Sequence, residues 1–561
     1  MIVQSDRTIL LETANEQFEA ARDVLSIFAE LVKSPEHIHT YRLSALSLWN
    51  AAALGYKPEA IKAQLAEYSK YPIPDNLLTD IDEFMSRYGR LKLVGEGDDL
   101  FLVTDDATLL EEVSRQRKVE PFLMDRISQN RFRVIKEQRG FIKHALIQVG
   151  YPVEDLAGYV EGEPLDIQLR ETTLGGKPFG LRDYQKEAVG AFWAGGTVKG
   201  GSGAIVLPCG AGKTIVALGA MEAVGAQTLI LTTNITALRQ WRDEILDKTH
   251  LTEDQVGEYS GESKLIRPVT ITTYQILTYR RTKKSPFIHF GLFNEGNWGL
   301  VVYDEVHLLP APVFRAVANI QSRRRLGLTA TLVREDGKEE EVFSLIGPKK
   351  YDVPWRVLEK QGFIATAECA ELRVPFMDDD LRLDYALAEQ RHKYKLAATN
   401  PAKLDVLEDL LEKHQSDQVM IIGQYLDQLD AIAERTGAPL ITGRTPQAER
   451  EVLYEKFRSG EVPVLVVSKV ANFAVDLPDA NVAVQVSGTF GSRQEEAQRL
   501  GRILRPKEDD NNAHFYSIVT RDTNEQDYAN KRQLFLTEQG YRYSIEMVEP
   551  DVAPAEKPTG S

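Results

Sequence analysis

The stretch GAIVLPCGAGKTIVALGAMEAV, residues 203–224, decides the fold of the larger part of this 561-residue chain. A short β-rich apolar run, GAIVLP, leads through the turn CGAGK into an apolar run with helical spacing. A strand, a glycine-containing turn and a helix N-terminus in this order form an anion-binding loop, because small residues let backbone amides approach a phosphate group. The segment therefore predicts a nucleotide-binding α/β domain.

The turn supplies the groups that bind a nucleoside triphosphate. The Lys213 ammonium can reach the β- and γ-phosphates, and the Thr214 hydroxyl can bind Mg²⁺. The general motif has glycine five positions before Gly212, where this chain has Leu207. The expected ATP contacts in this loop are Leu207, Pro208, Cys209, Gly210, Ala211, Gly212, Lys213 and Thr214.

Strand and helix patterns alternate on both sides of this loop, from Leu181 to about Thr520. The first set of β-rich runs is GAIVLP, TLILTT, PVTITTY, GLVVYDEVH and RLGLTAT. The second set is QVMIIGQY, PLITG, PVLVVS, VAVQVSG and AHFYSIVT. Because alternating strands and helices build parallel sheets covered by helices on both faces, the two sets predict two α/β lobes.

An acidic pair ends the run GLVVYDEVH. We assign Asp304 to the metal ion and Glu305 to the general base, since carboxylates at the end of a buried strand suit these roles. The alternative is an ordinary charge pair at a helix N-terminus. That alternative loses force because four apolar residues precede the pair.

A third element, SRQEEAQRLGRILRP, lies in the second set. Helical spacing places Gln498, Arg502 and Arg505 on one face. Guanidinium groups from a second lobe can stabilise the γ-phosphate charge in the transition state, so Arg502 and Arg505 are catalytic candidates. The alternative, a solvated basic face, does not explain Gly501 beside the arginines or Pro506 at the helix end.

Composition limits the class of protein. No apolar run approaches the roughly twenty residues that span a membrane, and the N-terminus lacks a signal peptide, so the chain is predicted to be cytoplasmic. Two cysteines, Cys209 and Cys369, exclude a four-thiolate iron–sulfur cluster. The net charge of −16 argues against tight, sequence-independent binding of nucleic acid, but a motor needs positive charge only in its contact groove.

The chain outside the lobes divides into smaller regions. Residues 1–105 contain a strand, helical patterns and the hairpin RLKLVGEGDDLFLVTDD, which are the parts of a winged helix. Whether that module binds DNA or docks a protein stays open. Residues 106–174 form a second small domain. The other predicted regions are lobe one (175–346), an inter-lobe segment (347–400), lobe two (401–548) and a disordered tail (549–561).

With these motifs in place, the chain resembles the superfamily-two, DEVH-box helicases, and within them the XPB group. The marks are FGLRDYQKEAV, LPCGAGKT, TLILTTNITALRQW, TITTYQIL, VVYDEVH, LGLTATLVREDG, SKVANFAVDLPDA and QRLGRILRP. The resemblance implies two tandem RecA-like lobes preceded by small α+β domains, winged-helix-like and damage-recognition-like. The chain departs from the family pattern at Ala471 and Asn472, where many members have Gly-Asp. Its inter-lobe segment is also short for a thumb-like insertion.

The resemblance also implies roles at matching positions. Contacts to ATP are implied for Arg182, Gln185, Asp476 and Gln498. Coupling of hydrolysis to movement is implied for His307, Thr329 and Thr331. Contact with DNA or strand opening is implied for Thr232, Thr233, Thr272, Thr273 and the RED element Arg334, Glu335 and Asp336. The basic cluster RRR, residues 323–325, lines a DNA path or is solvated surface, and both interpretations stay open.

The predicted function is that of an ATP-dependent DNA helicase or translocase moving from the three-prime to the five-prime end, in DNA repair. Its cofactors are ATP and Mg²⁺. Its partners are single-stranded or forked DNA and a nuclease or other repair protein, and the chain is expected to be a monomer. Two alternatives are an RNA-dependent ATPase and an ATP-switched scaffold that recruits a partner with little unwinding.

Overall fold

The computed structural model describes residues 1–34, 37–208, 210–282, 285, 287–309, 313, 317, 320, 323–330, 339–353, 358, 366–468, 480–488, 512–538 and 541–548. Its contacts divide the chain into two compact units. The first comprises residues 1–32, 40–208 and 212–354, and the second comprises residues 33–39, 209–211 and 355–561.

The N-terminal part consists of a four-stranded sheet and four helices. Its elements are β1 (Ile2–Val3), β2 (Thr8–Glu12), α1 (Phe18–Phe28), β3 (Glu30–Lys33), β4 (Ile38–Arg42), α2 (Ala45–Ala53), α3 (Pro58–Tyr68) and α4 (Asp75–Arg87). The strand order is β1-β2-β4-β3. The stretch FEAARDVLSIFAELV, predicted as one helix, forms α1 only as far as Phe28 and then turns into β3.

A five-stranded mixed sheet follows. Its elements are β5 (Leu91–Glu96), β6 (Asp99–Val103), α5 (Ala107–Ser114), β7 (Leu123–Ser128), β8 (Arg131–Val134), α6 (Arg139–Gln148) and β9 (Val153–Leu156). The order is β7-β8-β6-β5-β9. The predicted hairpin is β5 and β6, but it pairs with the strands after residue 105 and not with the helices before it. Its buried leucines Leu91, Leu93, Leu100 and Leu102 share one core with α5 and α6, so the predicted boundary at 105 falls inside a sheet.

Lobe one is a seven-stranded parallel sheet. Its strands and helices are α7 (Asp183–Trp193), β10 (Ser202–Val206), α8 (Lys213–Val224), β11 (Thr228–Thr232), α9 (Ile235–Lys248), β12 (Val256–Tyr259), β13 (Val269–Thr273), α10 (Tyr274–Leu277), α11 (Leu292–Glu295), β14 (Leu300–Tyr303), β15 (Arg324–Thr329) and β16 (Lys349–Asp352). The order is β12-β13-β11-β14-β15-β10-β16. A π-helical segment, Val342–Ile346, precedes β16. All five predicted strands of this lobe are confirmed.

Lobe two is also a seven-stranded parallel sheet. Its strands and helices are β17 (Thr366–Val374), α12 (Asp379–Leu387), α13 (Gln390–Ala398), α14 (Ala402–Lys413), β18 (Val419–Gly423), α15 (Leu426–Thr436), β19 (Leu440–Ile441), α16 (Gln447–Arg458), β20 (Val464–Ser468), β21 (Val482–Gln485), β22 (Asn512–Thr520), α17 (Asn524–Glu538) and β23 (Arg542–Met547). The order is β19-β20-β18-β21-β22-β17-β23. The second predicted set of strands is confirmed.

The predicted inter-lobe segment, residues 347–400, is in part sheet. Strand β16 pairs with β10 at the edge of the first sheet, and β17 pairs with β22 and β23 in the second sheet. Both strands carry charged residues, which hid them among less regular sequence. In β17 the buried carboxylate of Glu371 accepts hydrogen bonds from Arg373 and Tyr543, so a charge fits inside the sheet.

Two arginines of the basic cluster at 323–325 are buried, which neither interpretation of that cluster predicted. Arg324 and Arg325 lie in β15, and both side chains are buried. Arg325 donates from Nε to the carbonyl of Leu345 at 2.8 Å. Neither a DNA path nor a solvated surface describes these two residues.

Across the ranges that the structure describes, we find no helix that combines the length and the apolar character needed to cross a bilayer.

Candidate nucleotide-binding site

The phosphate loop leaves β10 and enters α8. Gly210 and Gly212 have φ angles of 80° and 75°, in the left-handed region that glycine adopts without strain. Gly212 is the N-terminal flanking residue of α8, so Lys213 and Thr214 are its first two residues. The positive end of the helix dipole therefore faces the loop, as a phosphate requires.

Leu207 explains the departure from the general loop motif. Its side chain is fully buried, and its backbone N–H donates to the carbonyl of Thr329 at 3.0 Å. The residue therefore packs in the core and joins β10 to the end of β15. A side chain at this position does not occupy the space in which the loop turns.

Gln185, on α7, lies against the loop. A Cβ atom at position 212 would be only 2.7 Å from Gln185 Nε2, and the φ angle of 75° at this position favours glycine. The Oε1 atom of Gln185 accepts a hydrogen bond from the backbone of Arg182 at 2.9 Å. The two residues expected on the adenine side of ATP thus form one structure at the start of α7, and Gln185 contacts the phosphate loop.

The acidic pair follows β14. Asp304 Oδ2 accepts a hydrogen bond from Trp241 Nε1 at 3.0 Å, and its carbonyl accepts one from the Tyr274 hydroxyl at 2.8 Å. Glu305 has a φ angle of 48°, which is unusual for a residue with a side chain. Its Oε1 atom lies 3.4 Å from Lys213 Nζ. The pair and the loop lysine therefore form one cluster.

Burial dominates the electrostatics of Asp304. Loss of solvent, followed by repulsion from Glu305, raises the pKa of the Asp304 carboxyl to about 6, while Trp241 and Lys213 oppose the rise. A buried carboxylate beside a second carboxylate is short of positive charge. The Asp304 carboxylate and the hydroxyl of Thr214, which follows Lys213 in α8, offer the oxygen ligands that Mg²⁺ prefers. The residues present therefore fit a magnesium ion.

The coupling residues connect to this cluster. His307 Nδ1 lies 2.7 Å from the Thr329 hydroxyl, and it lies 3.5 Å from Glu305 Oε2. Contacts consequently run from Lys213 through Glu305 and His307 to Thr329, at the end of β15. Thr331, the remaining coupling candidate, lies outside the described residues.

The threonines expected to contact DNA do not share one environment. Thr232 and Thr272 are fully buried at the ends of β11 and β13, and the Thr232 hydroxyl donates to the carbonyl of Thr272 at 3.1 Å. Thr233 is half-buried, and Thr273 accepts a hydrogen bond from the backbone of Ile276 at the start of α10. A DNA phosphate can therefore not reach the hydroxyls of Thr232 and Thr272 in this conformation.

Comparisons with known proteins bear on the whole chain. The family description "ERCC3/RAD25/XPB C-terminal helicase" matches residues 358–556, "Helicase conserved C-terminal domain" matches residues 1–128, and "Type III restriction enzyme, res subunit" matches residues 178–334. A relative from Mycobacterium tuberculosis, named DNA 3'-5' helicase XPB, is 54% identical over 556 residues, which are 99% of this chain and 99% of the relative. This chain belongs to the XPB family of DNA helicases.

Two further relatives agree with this assignment to the XPB family. The protein of the same name from Kineococcus radiotolerans is 55% identical over 97% of this chain and 96% of the relative. The Encephalitozoon cuniculi protein, named General transcription and DNA repair factor IIH helicase/translocase subunit XPB, is 35% identical over 98% of this chain and 83% of the relative. The identity extends over the small N-terminal sheets as well as the two lobes.

Several predicted XPB-family site residues lie outside the described residues. They are Cys209 in the phosphate loop, Thr331 in the coupling motif, Arg334, Glu335 and Asp336 in the RED element, and Asp476, Gln498, Arg502 and Arg505 in lobe two. The two departures at Ala471 and Asn472 lie there too. Their assignments stay predictions from sequence.

Two residues that hold Asp304 were missed as site residues. Trp241 and Tyr274 occur within the quoted motifs TLILTTNITALRQW and TITTYQIL, just after β11 and β13. Strand β11 pairs with β13 on one side and with β14 on the other. Because parallel strands end at one edge of a sheet, residues after β11, β13 and β14 converge there. The signal was present in the strand order, which the sequence alone does not supply.

Proposed function

We propose that this XPB-family protein is an ATP-dependent DNA helicase or translocase that moves from the three-prime to the five-prime end of a strand and acts in DNA repair. Support comes from the relatives that share its full length and carry the name DNA 3'-5' helicase XPB. The observation that carries the chemical part of the proposal is the cluster of Lys213, Asp304 and Glu305, which combines a phosphate-binding cation with two carboxylates.

Lys213 and Glu305 change partners when ATP binds. In the structure, Glu305 is the carboxylate beside the Lys213 ammonium. A triphosphate offers Lys213 more negative charge than one carboxylate does, so the lysine turns to the β- and γ-phosphates. Glu305 is thereby released to accept a proton from the attacking water, as a general base must.

Asp304 and Thr214 are the proposed magnesium ligands. Magnesium, bound there with the ATP phosphates, supplies positive charge to the oxygens of the transferred phosphoryl group. Trp241 fixes one carboxylate oxygen of Asp304 by its hydrogen bond. This arrangement orients the ligand before the nucleotide arrives.

Residues of lobe two and of the start of α7 provide the remaining proposed contacts to ATP. Arg502 and Arg505 stabilise the γ-phosphate charge in the transition state, and Asp476 and Gln498 contact the nucleotide. Arg182 and Gln185 contact adenine. The support is the family motif for the lobe-two residues and, for Gln185, its contact with Gly212. ATP and Mg²⁺ are thus the proposed cofactors.

On the DNA side, Thr233 is the better candidate among these threonines, because it alone of the four is half-buried rather than buried. We assign phosphate contacts to Thr233 and to backbone amides beside Thr233 and Thr273, while Thr232 and Thr272 hold β11 and β13 together. Arg334, Glu335 and Asp336 are proposed to open the strands. A nuclease or other repair protein as partner, a monomeric state and a cytoplasmic location remain predictions from the sequence.

Steady-state ATP hydrolysis without nucleic acid, with forked DNA and with matched RNA tests the proposal. We expect strong stimulation by DNA and loss of turnover by about 100-fold or more in Glu305→Gln, because that change removes a general base. Glu262→Gln, at an exposed position of the same lobe, is the control and should hydrolyse ATP normally.

Two outcomes would redirect the assignment. Equal or greater stimulation by RNA would favour the RNA-dependent ATPase. Basal turnover that neither nucleic acid stimulates would favour the ATP-switched scaffold.

A further inference from the structure

A cluster of buried charges lies where α6 and β9 meet lobe one. Asp155 accepts hydrogen bonds from Arg139 at 2.7 Å and from Lys143 at 3.0 Å. Arg325, fully buried in β15, also interacts electrostatically with Asp155. Among the residues that the structure describes, one carboxylate thus faces three buried cations in this cluster.

A cavity of about 370 Å³ opens beside this cluster, within the first compact unit. Three lysines line it, namely Lys143, Lys199 and Lys350, against two carboxylates, Glu154 and Asp155. Asp155 is shared by Lys143, Arg139 and Arg325, so its one charge is divided among three cations. The excess of lysines over carboxylates in the lining suits the cavity to an anion.

Burial affects two of the three lysines that line the cavity. Lys350 Nζ donates to the carbonyl of Lys199 at 2.7 Å, and burial lowers the pKa of Lys350. Burial, with repulsion from Arg325 and Arg139, lowers the pKa of Lys143 to about 8, although Asp155 opposes this. Burial thus disfavours the charged form of both lysines, and an anion in the cavity would favour it.

The rest of the cavity wall is aromatic or apolar and suits an uncharged group. Its aromatic side chains are Tyr88, Tyr159 and Phe343, and alanines such as Ala52 and Ala191 complete the apolar part. The Tyr159 hydroxyl is fixed by a hydrogen bond to Ser202 at 2.9 Å. The volume lies within the range of small-molecule sites, which is roughly 300–1,000 Å³.

We propose that this cavity binds a small phosphate-bearing ligand of mononucleotide size, with its phosphate against Lys143, Lys199 and Lys350. The ring or other apolar part lies along Tyr88, Tyr159 and Phe343. This site is distinct from the phosphate loop and does not depend on the proposed helicase function. Because its walls come from α2, α6, β9 and lobe one, the ligand would fasten the N-terminal helices and the small mixed sheet to the lobe.

The test uses the full-length chain with Lys213→Ala, which weakens nucleotide binding at the phosphate loop. Calorimetric titration with adenosine monophosphate, with inorganic phosphate and with adenosine distinguishes the contribution of the phosphate to binding from that of the nucleoside. We expect both phosphate probes to bind and adenosine to bind at least tenfold more weakly than its monophosphate.

Lysine variants in that background assign the binding to the cavity. Lys350→Met should weaken binding of adenosine monophosphate at least tenfold, and Lys199→Met, at an exposed position that is safer for folding, should weaken it several-fold. Lys118→Met, an exposed lysine of the small mixed sheet that does not line the cavity, is the control. Absence of phosphate binding, or binding that neither cavity variant weakens, would overturn the proposal.

Discussion

Leu207 shows how a single residue departs from a motif for a structural reason. Its buried side chain fills core space, and its N–H joins β10 to β15. Restoring the motif glycine should therefore damage the lobe. We predict that Leu207→Gly lowers the free energy of unfolding by about 3–5 kcal/mol, since it removes a buried leucine and adds backbone freedom.

Urea unfolding of the full-length chain measures this cost for Leu207→Gly, and Leu207→Met serves as the conservative control. The control should lose less than about 1.5 kcal/mol, because it keeps most of the buried volume. Equal stability of the glycine variant and the parent would show that Leu207 is not part of the core.

Asp304 gives a prediction with a defined pH dependence. Folding raises the pKa of its carboxyl from 3.8 to about 6, so the folded chain binds this proton more tightly than the unfolded chain. The charged form of Asp304 therefore lowers the free energy of unfolding. The loss is complete above pH 6 and absent below the pKa of the unfolded chain. We predict that Asp304→Asn stabilises the chain by about 3 kcal/mol at pH 7.5 and that the gain falls below about 1 kcal/mol near pH 4.

Thermal unfolding from pH 4 to pH 7.5, without nucleotide, measures the effect of Asp304→Asn. Asparagine still accepts the hydrogen bond of Trp241, so packing is kept, while ATP hydrolysis should be lost. Asp243→Asn, at an exposed position on α9, is the matched control. A gain that is the same at every pH would contradict burial of the charge as its cause.

At the scale of elements, the contact between His307 and Thr329 joins the acidic turn after β14 to the end of β15. Thr329→Val removes the hydroxyl and keeps the shape. We predict that DNA-independent ATP hydrolysis changes little, while DNA-stimulated turnover falls about 3- to 30-fold, which corresponds to a coupling energy of about 0.5–2 kcal/mol. Thr278→Val, which removes a hydroxyl elsewhere in lobe one, should change neither rate.

The comparison of the two rates distinguishes coupling from damage. If Thr329→Val lowered both rates equally, the contact would serve the chemical step or the fold rather than communication with DNA.

The elements that the sequence predicts correctly are those with continuous apolar character. Strands such as β11 and β14 are buried on both faces, and their residues are wholly apolar or β-branched. Strands β16 and β17 were missed because each carries charges whose partners come from distant segments, as with Glu371 and Tyr543. A sequence pattern does not show that such a partner exists.

The same limit applies to the site. The phosphate loop and acidic pair follow from local motifs, and their residues meet as expected. Local motifs do not predict the burial of Thr232, Thr272 and Arg325, because the burial of each residue depends on the position of its strand within the sheet. Trp241 and Tyr274 approach Asp304 for the same reason.

At the scale of the whole molecule, the small mixed sheet is continuous with lobe one in one compact unit. The hairpin β5–β6, assigned by its local pattern to the N-terminal helices, pairs instead with strands β8 and β9. Hairpin patterns identify the two strands but not the sheet that they join. The separation predicted at residue 105 is therefore not a domain boundary in this fold.

The proposed function requires that ATP hydrolysis drives movement toward the five-prime end of DNA. Displacement of streptavidin from single-stranded DNA biotinylated at either end tests this requirement without strand separation. We predict ATP-dependent displacement from the five-prime end, little from the three-prime end, and none with Glu305→Gln. Displacement from the three-prime end, or DNA-stimulated hydrolysis without displacement from either end, would contradict it.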